Sequence, residues 1–217
     1  ITGKAGTGKS TLLKHFVAHT KKTCVVLAPT GIAAINVGGV TIHSFFRLPF
    51  RPIVENDEEI QRFPRNSDKF KIIQKTEVFI IDEVSMLRAD IIDAIDQTLR
   101  LNSEYPDKPF GGKQIIFFGD LFQLEPVVQN NEVERYLFTE YYNSHYFFDA
   151  RVFRQLHMHC IELRKVYRQT DPDFIHILDV IRLNRADDVE LNQLNIRVDK
   201  KFVAKADDTY VTLSTRN

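Results

Sequence analysis

Short apolar runs rich in β-branched residues alternate along the chain with longer segments whose apolar positions recur every three or four residues. The short runs predict strands at residues 23–28, 78–82, 114–119, 159–163 and 209–214. Val78-Phe-Ile-Ile81 and Ile115-Ile-Phe-Phe118 are apolar without interruption, as strands buried on both faces are. The periodic segments predict helices at residues 9–19, 31–37, 88–100, 131–141 and 171–183. Alternation of this kind predicts an α/β domain, a parallel sheet flanked by helices. Residues 51–76 are polar and charged, and read as surface loops or a short helix leading into the strand at 78. Within them the acidic run 55–59 reads as a solvated loop. No internal repeat or low-complexity tract interrupts the pattern.

Composition narrows the class. The chain has 217 residues, 43% hydrophobic and 27% charged, with two cysteines. That excludes a disordered, collagen-like, coiled-coil or disulfide-stapled chain. The length suits one compact domain or one domain with part of another. Cys24 and Cys160 sit in apolar runs and read as buried, reduced thiols. No apolar stretch is long enough to span a membrane, and no secretory signal is present, so an intracellular location is expected: bacterial cytoplasm, nucleus or mitochondrion. Ile1 at a strand end, and a strand-like ending with no helix after it, predict a fragment cut at both ends.

The formal net charge is zero, 29 Lys+Arg against 29 Asp+Glu. Taken whole, that argues against a nucleic-acid partner. The charge is unevenly placed, however. Residues 1–50 hold six cations (Lys4, Lys9, Lys14, Lys21, Lys22 and Arg47) and no carboxylate, leaving 23 basic against 29 acidic residues in the rest. Such asymmetry is expected of a chain with a localised anionic partner.

The most informative motif is Gly3-Lys-Ala-Gly-Thr-Gly-Lys-Ser10, which fits G-x-x-x-x-G-K-[ST]. Glycines let such a loop turn tightly and aim its amides at phosphate oxygens, and the helix that follows adds the positive end of its dipole. Gly3, Ala5, Gly6, Thr7, Gly8, Lys9, Ser10 and Thr11 are therefore the expected ATP-binding residues. Lys9 would reach the terminal phosphates and Ser10 would ligate Mg2+. The apolar strand at 78 ends in Asp82-Glu83, a pair suited to holding the metal through water (Asp82) and to polarising an attacking water (Glu83). A helix N-terminal acidic pair is the competing account. The strand at 114 ends in Gly119-Asp-Leu-Phe-Gln123. Gln123 would sense a γ-phosphate, and a plain polar loop explains it equally well.

These segments, with Ala28-Pro-Thr-Gly-Ile-Ala-Ala34, Gly39-Val-Thr-Ile-His-Ser-Phe-Phe46, Pro109-Phe-Gly-Gly112 and Leu163-Arg-Lys-Val-Tyr-Arg-Gln169, occur in a recognisable order. Together they resemble superfamily-one DNA helicases, most closely the petite-integration-frequency (PIF) type, with RecD-like helicases next. The resemblance implies a RecA-like P-loop ATPase domain over residues 1–165 and the start of a second RecA-like domain over 166–217. It implies 5′-to-3′ translocation on single-stranded DNA, action at duplex junctions in replication, repair, recombination or telomere maintenance, and a monomeric motor built with the second domain of the same chain. Arg168 would contact the γ-phosphate, with a surface arginine ahead of a helix as the alternative. Thr30, Gly31, His43, Ser44 and Phe45 would meet DNA. Phe45 or Phe46 would stack on a base, and core packing explains either ring as well. Two departures stand out. The family's adenine-reading glutamine lies upstream of the phosphate loop and is absent, and Glu125 stands where the family usually has proline.

Other signals are discounted. His157-Met-His-Cys160 lacks a second ligand pair for a metal. The aromatic stretch 136–148 reads as packing. A nucleotide-dependent switch or loader is the rival reading of the whole, and a small-molecule kinase a weak third. The segments around Thr30 and His43 speak against a switch, which has no use for strand contacts there.

Overall fold

The computed structural model describes residues 1–129, 131–203, 209–211 and 213. It divides into two compact units, Ile1–Thr170 and Asp171–Asn217. This division lies five residues beyond the boundary expected at 165/166.

In the first unit the chain runs β1 (Thr2–Gly3), α1 (Lys9–His19), β2 (Cys24–Ala28), α2 (Gly31–Val37), β3 (Val40–Thr41), α3 (Ile42–Phe46), α4 (Asp68–Lys75), β4 (Val78–Ile81), α5 (Ala89–Leu101), β5 (Gln114–Phe117), α6 (Glu132–Tyr136) and β6 (Glu162–Leu163). The main sheet is parallel in the order β3-β2-β4-β5, with Cys24 opposite Val78 and Val78 opposite Gln114. β1 and β6 form a second parallel pair. A bridge from Thr2 to Gly119 joins that pair to the end of β5. Parallel pairing with helical crossovers brings the carboxyl ends of all these strands to one edge, where ligands bind in such sheets.

Packing explains the elements. All four residues of β4 are fully buried, and the strand is bonded on both sides. α5 buries Ile91, Ile92, Ile95 and Leu99 against it in the principal core. The polar positions of α5 are also used inward. Asp90 takes Arg88 and the Ile53 amide, and Asp93 takes Tyr142 and the amides of Arg151 and Val152. Asp96 takes Arg100 and the Phe110 amide. One helix thereby pins three separate loops. The helix expected at 131–141 changes pitch at Leu137, where Leu137–Tyr141 widens into a π-turn.

Four expectations need correction. The strand at 159–163 shrinks to Glu162–Leu163, because its partner β1 is only two residues long. Cys160, left outside it, is exposed rather than buried, and Cys24 is half-buried. Of the stretch 51–76, the short helix expected before the strand is α4, and Glu55, Asn56, Glu58 and Glu59 are exposed, but Ile53, Ile60 and Phe63 are core residues, and buried Asp57 receives both guanidinium nitrogens of Arg51 at 2.6 and 2.9 Å. In the second unit, α7 (Pro172–Arg182) is capped by Asp171 and α8 (Asp188–Asn195) by Asp187 in a capping box. Of the strand expected at 209–214, residues 212 and 214 lie outside the described residues, and Thr209–Val211 and Leu213 form no strand. Among the described residues no helix is long and apolar enough to cross a membrane.

The hydrogen bonds from Arg51 hold the Asp57 carboxyl below its ordinary value against the opposing effect of burial. A lowered carboxyl stabilises the fold above its unfolded value, and that stabilisation is lost as the pH falls through the folded value. Asp57→Asn is expected to cost about 1–2 kcal/mol at pH 7, near the lower figure because Arg51 is 43% solvent-exposed. In urea unfolding the gap from the unsubstituted protein should narrow as the pH falls below about 4. A gap constant from pH 7 to pH 3 would show that the ion pair is not its source.

Candidate active site

The phosphate loop lies between β1 and α1. Gly3, Gly6 and Gly8 all have positive φ, and two of them are also crowded. A Cβ at Gly3 would meet the Leu163 carbonyl at 2.5 Å, and one at Gly6 would meet Arg168 Cβ at 2.7 Å. The loop closes on itself through the Thr7 hydroxyl, which donates to the Lys4 carbonyl at 2.8 Å. Lys9 Nζ donates to the carbonyls of Gly3 at 2.6 Å and Lys4 at 3.0 Å. Ser10 and Thr11 open α1 and are exposed, as is Ala5. The Gly8 carbonyl accepts from Leu12, so the helix starts directly beneath the loop.

Asp82 and Glu83 follow β4. Asp82 is 5% exposed, and its amide continues the ladder to Leu27 at 2.9 Å. Glu83 is half-buried, with its backbone in the left-handed region at φ 50, a conformation that costs a non-glycine residue roughly 1 kcal/mol or more. Burial raises both carboxyls, and the charge of Asp82 raises Glu83 further, while the Lys9 ammonium pulls both down. The lysine and the two carboxylates therefore act on one another electrostatically.

Beyond β5, Gln123 is exposed and its side-chain amide donates to Asp120 at 3.1 Å. Asp120 is buried, accepts from the Phe122 amide at 3.2 Å, and adds to the upward push on Glu83. Sequence reasoning gave Asp120 no role. The signal was available: an Asp accepting from the amide two residues on is an Asx-turn. Arg168 is exposed and crosses the phosphate loop, anchored by the Tyr167 amide, which donates to the Gly6 carbonyl at 2.8 Å.

Next along the same edge is the turn into α2. Thr30 caps this helix by accepting from the Ala33 amide at 3.3 Å, which leaves its hydroxyl hydrogen to donate elsewhere. Gly31 is exposed, with open space where a Cβ would stand. His43 is half-buried and Ser44 exposed. The reading of Phe45 as a base-stacking ring is corrected. Phe45 and Phe46 are 5% and 3% exposed, pack edge-on to each other at 4.9 Å, and rest on Phe79 of β4. Core packing accounts for both rings.

The PIF1-like helicase family model matches residues 1–190. The chain belongs to the PIF1-like helicase family. Human ATP-dependent DNA helicase PIF1 is 34% identical over 93% of this chain and 30% of its own length. ATP-dependent DNA helicase RRM3 of Saccharomyces cerevisiae is 32% identical over 83% of this chain and 24% of that protein. Among solved structures, Pif1 helicase from Bacteroides in complex with ADP-AlF3 and ssDNA is 46% identical, with a TM-score of 0.86 over 97% of this chain and 48% of that one. Pif1 helicase from Candida albicans is 32% identical with a TM-score of 0.72, over 88% of this chain and 42% of that one. The chain thus spans about half the length of these PIF1-like structures and a third or less of the curated relatives. The α/β fold, a RecA-like domain with parallel sheet and flanking helices, is that of these PIF1-like neighbours.

Backbone strain and crowding in the loop can be separated by substitution. Gly6→Ala and Gly8→Ala both place a side chain at positive φ, but only Gly6 has a neighbour in the way. Gly8→Ala should cost about 1–2 kcal/mol, and Gly6→Ala clearly more, read by urea unfolding. Equal losses would show that the 167–169 segment does not bear on Gly6.

Proposed function

We propose that the full protein carrying this chain is an ATP-dependent 5′-to-3′ DNA helicase, with residues 1–165 as its first RecA-like ATPase domain and 166–217 opening the second. The observation that carries the reading is the meeting of the phosphate loop, Lys9, Asp82, Glu83 and the Arg168 segment at one sheet edge, next to the Thr30 and His43 segments. The names of its relatives, and a 46% identical structure holding ADP-AlF3 and ssDNA, support it.

In this reading the amides of residues 3–11 hold the β- and γ-phosphates of ATP, and Lys9 exchanges its two backbone carbonyls for phosphate oxygens. Arg168 approaches the γ-phosphate from the segment lying across Gly6, and Gln123 is aimed by Asp120. Glu83, raised by burial and by Asp82, takes a proton from the attacking water more readily than an exposed glutamate would. Mg2+ fits the donors present: the Ser10 hydroxyl and the Asp82 carboxylate are hard oxygens, and this ion needs few protein ligands when phosphates and waters complete its shell. When bound, it would neutralise charge on the phosphates. Single-stranded DNA would run along Thr30, Gly31, His43 and Ser44, with the hydroxyl and amide groups of this stretch suited to a phosphate backbone. Duplex junctions and the second RecA-like domain of the same chain are the other partners. The motor would work as a monomer, inside the cell, in bacterial cytoplasm or in nucleus or mitochondrion, in replication, repair or recombination and in telomere maintenance.

In the full-length protein, Lys9→Ala should abolish ATP turnover, and Glu83→Gln should lower kcat by roughly 100-fold or more while retaining nucleotide binding. Robust DNA-stimulated turnover by Lys9→Ala would overturn the site assignment. Wild-type turnover indifferent to single-stranded DNA would instead favour a nucleotide-dependent switch.

A further inference from the structure

Phe45 and Phe46 are spent on the core, yet the same segment does present an aromatic face. Phe50 is 92% exposed. Its ring lies flat on the imidazole of His43, with centroids 4.7 Å apart and planes 5° apart. One face is held by His43, and the exposure leaves the other to solvent. A lone exposed phenylalanine is unremarkable on a protein surface. The chain that carries this one is anchored both before and after it. Arg47 turns the chain through the left-handed region at φ 57, and the amide of buried Leu48 donates to the His43 carbonyl at 3.1 Å. Pro49 stiffens the backbone just before the ring. Just after it, Arg51 is fixed by Asp57 and Glu59, and its carbonyl accepts from Arg88. The backbone that carries the ring is therefore set before anything binds, and the ring itself rests on His43, which lowers the entropy cost of using it.

Resting on the helicase reading above, we infer that Phe50, backed by His43, is the stacking platform for an unpaired base of single-stranded DNA. An exposed π-face at an edge lined by hydroxyls and amides is how proteins hold single strands without regard to sequence. Charge agrees: residues 1–50 carry six cations and no carboxylate, so a polyanion meets no repulsion from this part of the chain. Burial and the charge of Arg88 hold His43 below its ordinary value, so the backing ring is neutral at pH 7 and contributes as a second flat ring rather than as a phosphate contact. His43 would thus serve base stacking through Phe50, while Ser44 and Thr30 serve the phosphates.

The test is anisotropy titration of the full-length protein, without nucleotide, against a thymidine oligonucleotide and a matched one carrying abasic sites. Phe50→Ala should weaken binding to the thymidine strand about tenfold and leave binding to the abasic strand unchanged. Phe50→Trp should restore the affinity. The dependence of affinity on salt should keep its slope, because no phosphate contact is lost. Equal affinity of Phe50→Ala and wild type for the thymidine strand would overturn the inference while leaving the helicase reading intact. An equal loss on both strands would overturn it too, since the defect would then lie outside base stacking. Failure of the wild-type protein to bind either strand would remove the helicase reading along with it.

Discussion

β4 is buried on both faces and bonded on both sides, so a carboxylate carried by this strand has only its end to occupy. Asp82 and Glu83 sit there, next to the phosphate loop that leaves β1 and the turn that leaves β5. Every other feature of the site follows from that parallel arrangement. If one strand of the set ran the other way, its loop would open on the opposite edge, some 15 Å or more away for strands of four or five residues. Burial keeps the two carboxyls raised, and the Lys9 ammonium pulls on both.

The helices at 9–19 and 31–37 were legible to the residue, because their start and stop signals are local: a left-handed glycine before the first, a threonine cap and a left-handed glycine around the second. β6 was overestimated because strand length is set by the partner, and β1 offers only two residues. Cys160 went with it, since an apolar run reads as buried only if a sheet takes it in. The buried anchors within the polar stretch 51–76 were missed for a related reason. Its buried residues, Ile53, Ile60 and Phe63, follow no period, and two of them are held by distant partners, Ile53 by Asp90 of α5 and Phe63 by Asn102 just past its end.

The candidate site was more readable than the fold around it, since the chemistry of a phosphate loop constrains residue type at nearly every position. What pattern could not resolve was which aromatic ring faces outward. α3 is a five-residue helix, too short for its periodicity to assign a face, and both of its phenylalanines turn to the core. The exposed ring lies past the helix, in a Leu-Pro-Phe sequence that reads as punctuation. Asp120 went unnoticed for the opposite reason, its role being so local that it was absorbed into the motif around it.

The hydrogen bond from Tyr167 to Gly6 ties the phosphate loop to the segment by which the chain leaves β6. Gly6 has no side chain, and nothing larger would fit under Arg168. The loop is thus unable to tighten or relax without either breaking that bond or carrying Tyr167 and Arg168 with it. Cause and response are separated by a single peptide group, so a change of occupancy at the loop would be felt in the outgoing chain with no lever, relay or intervening hinge.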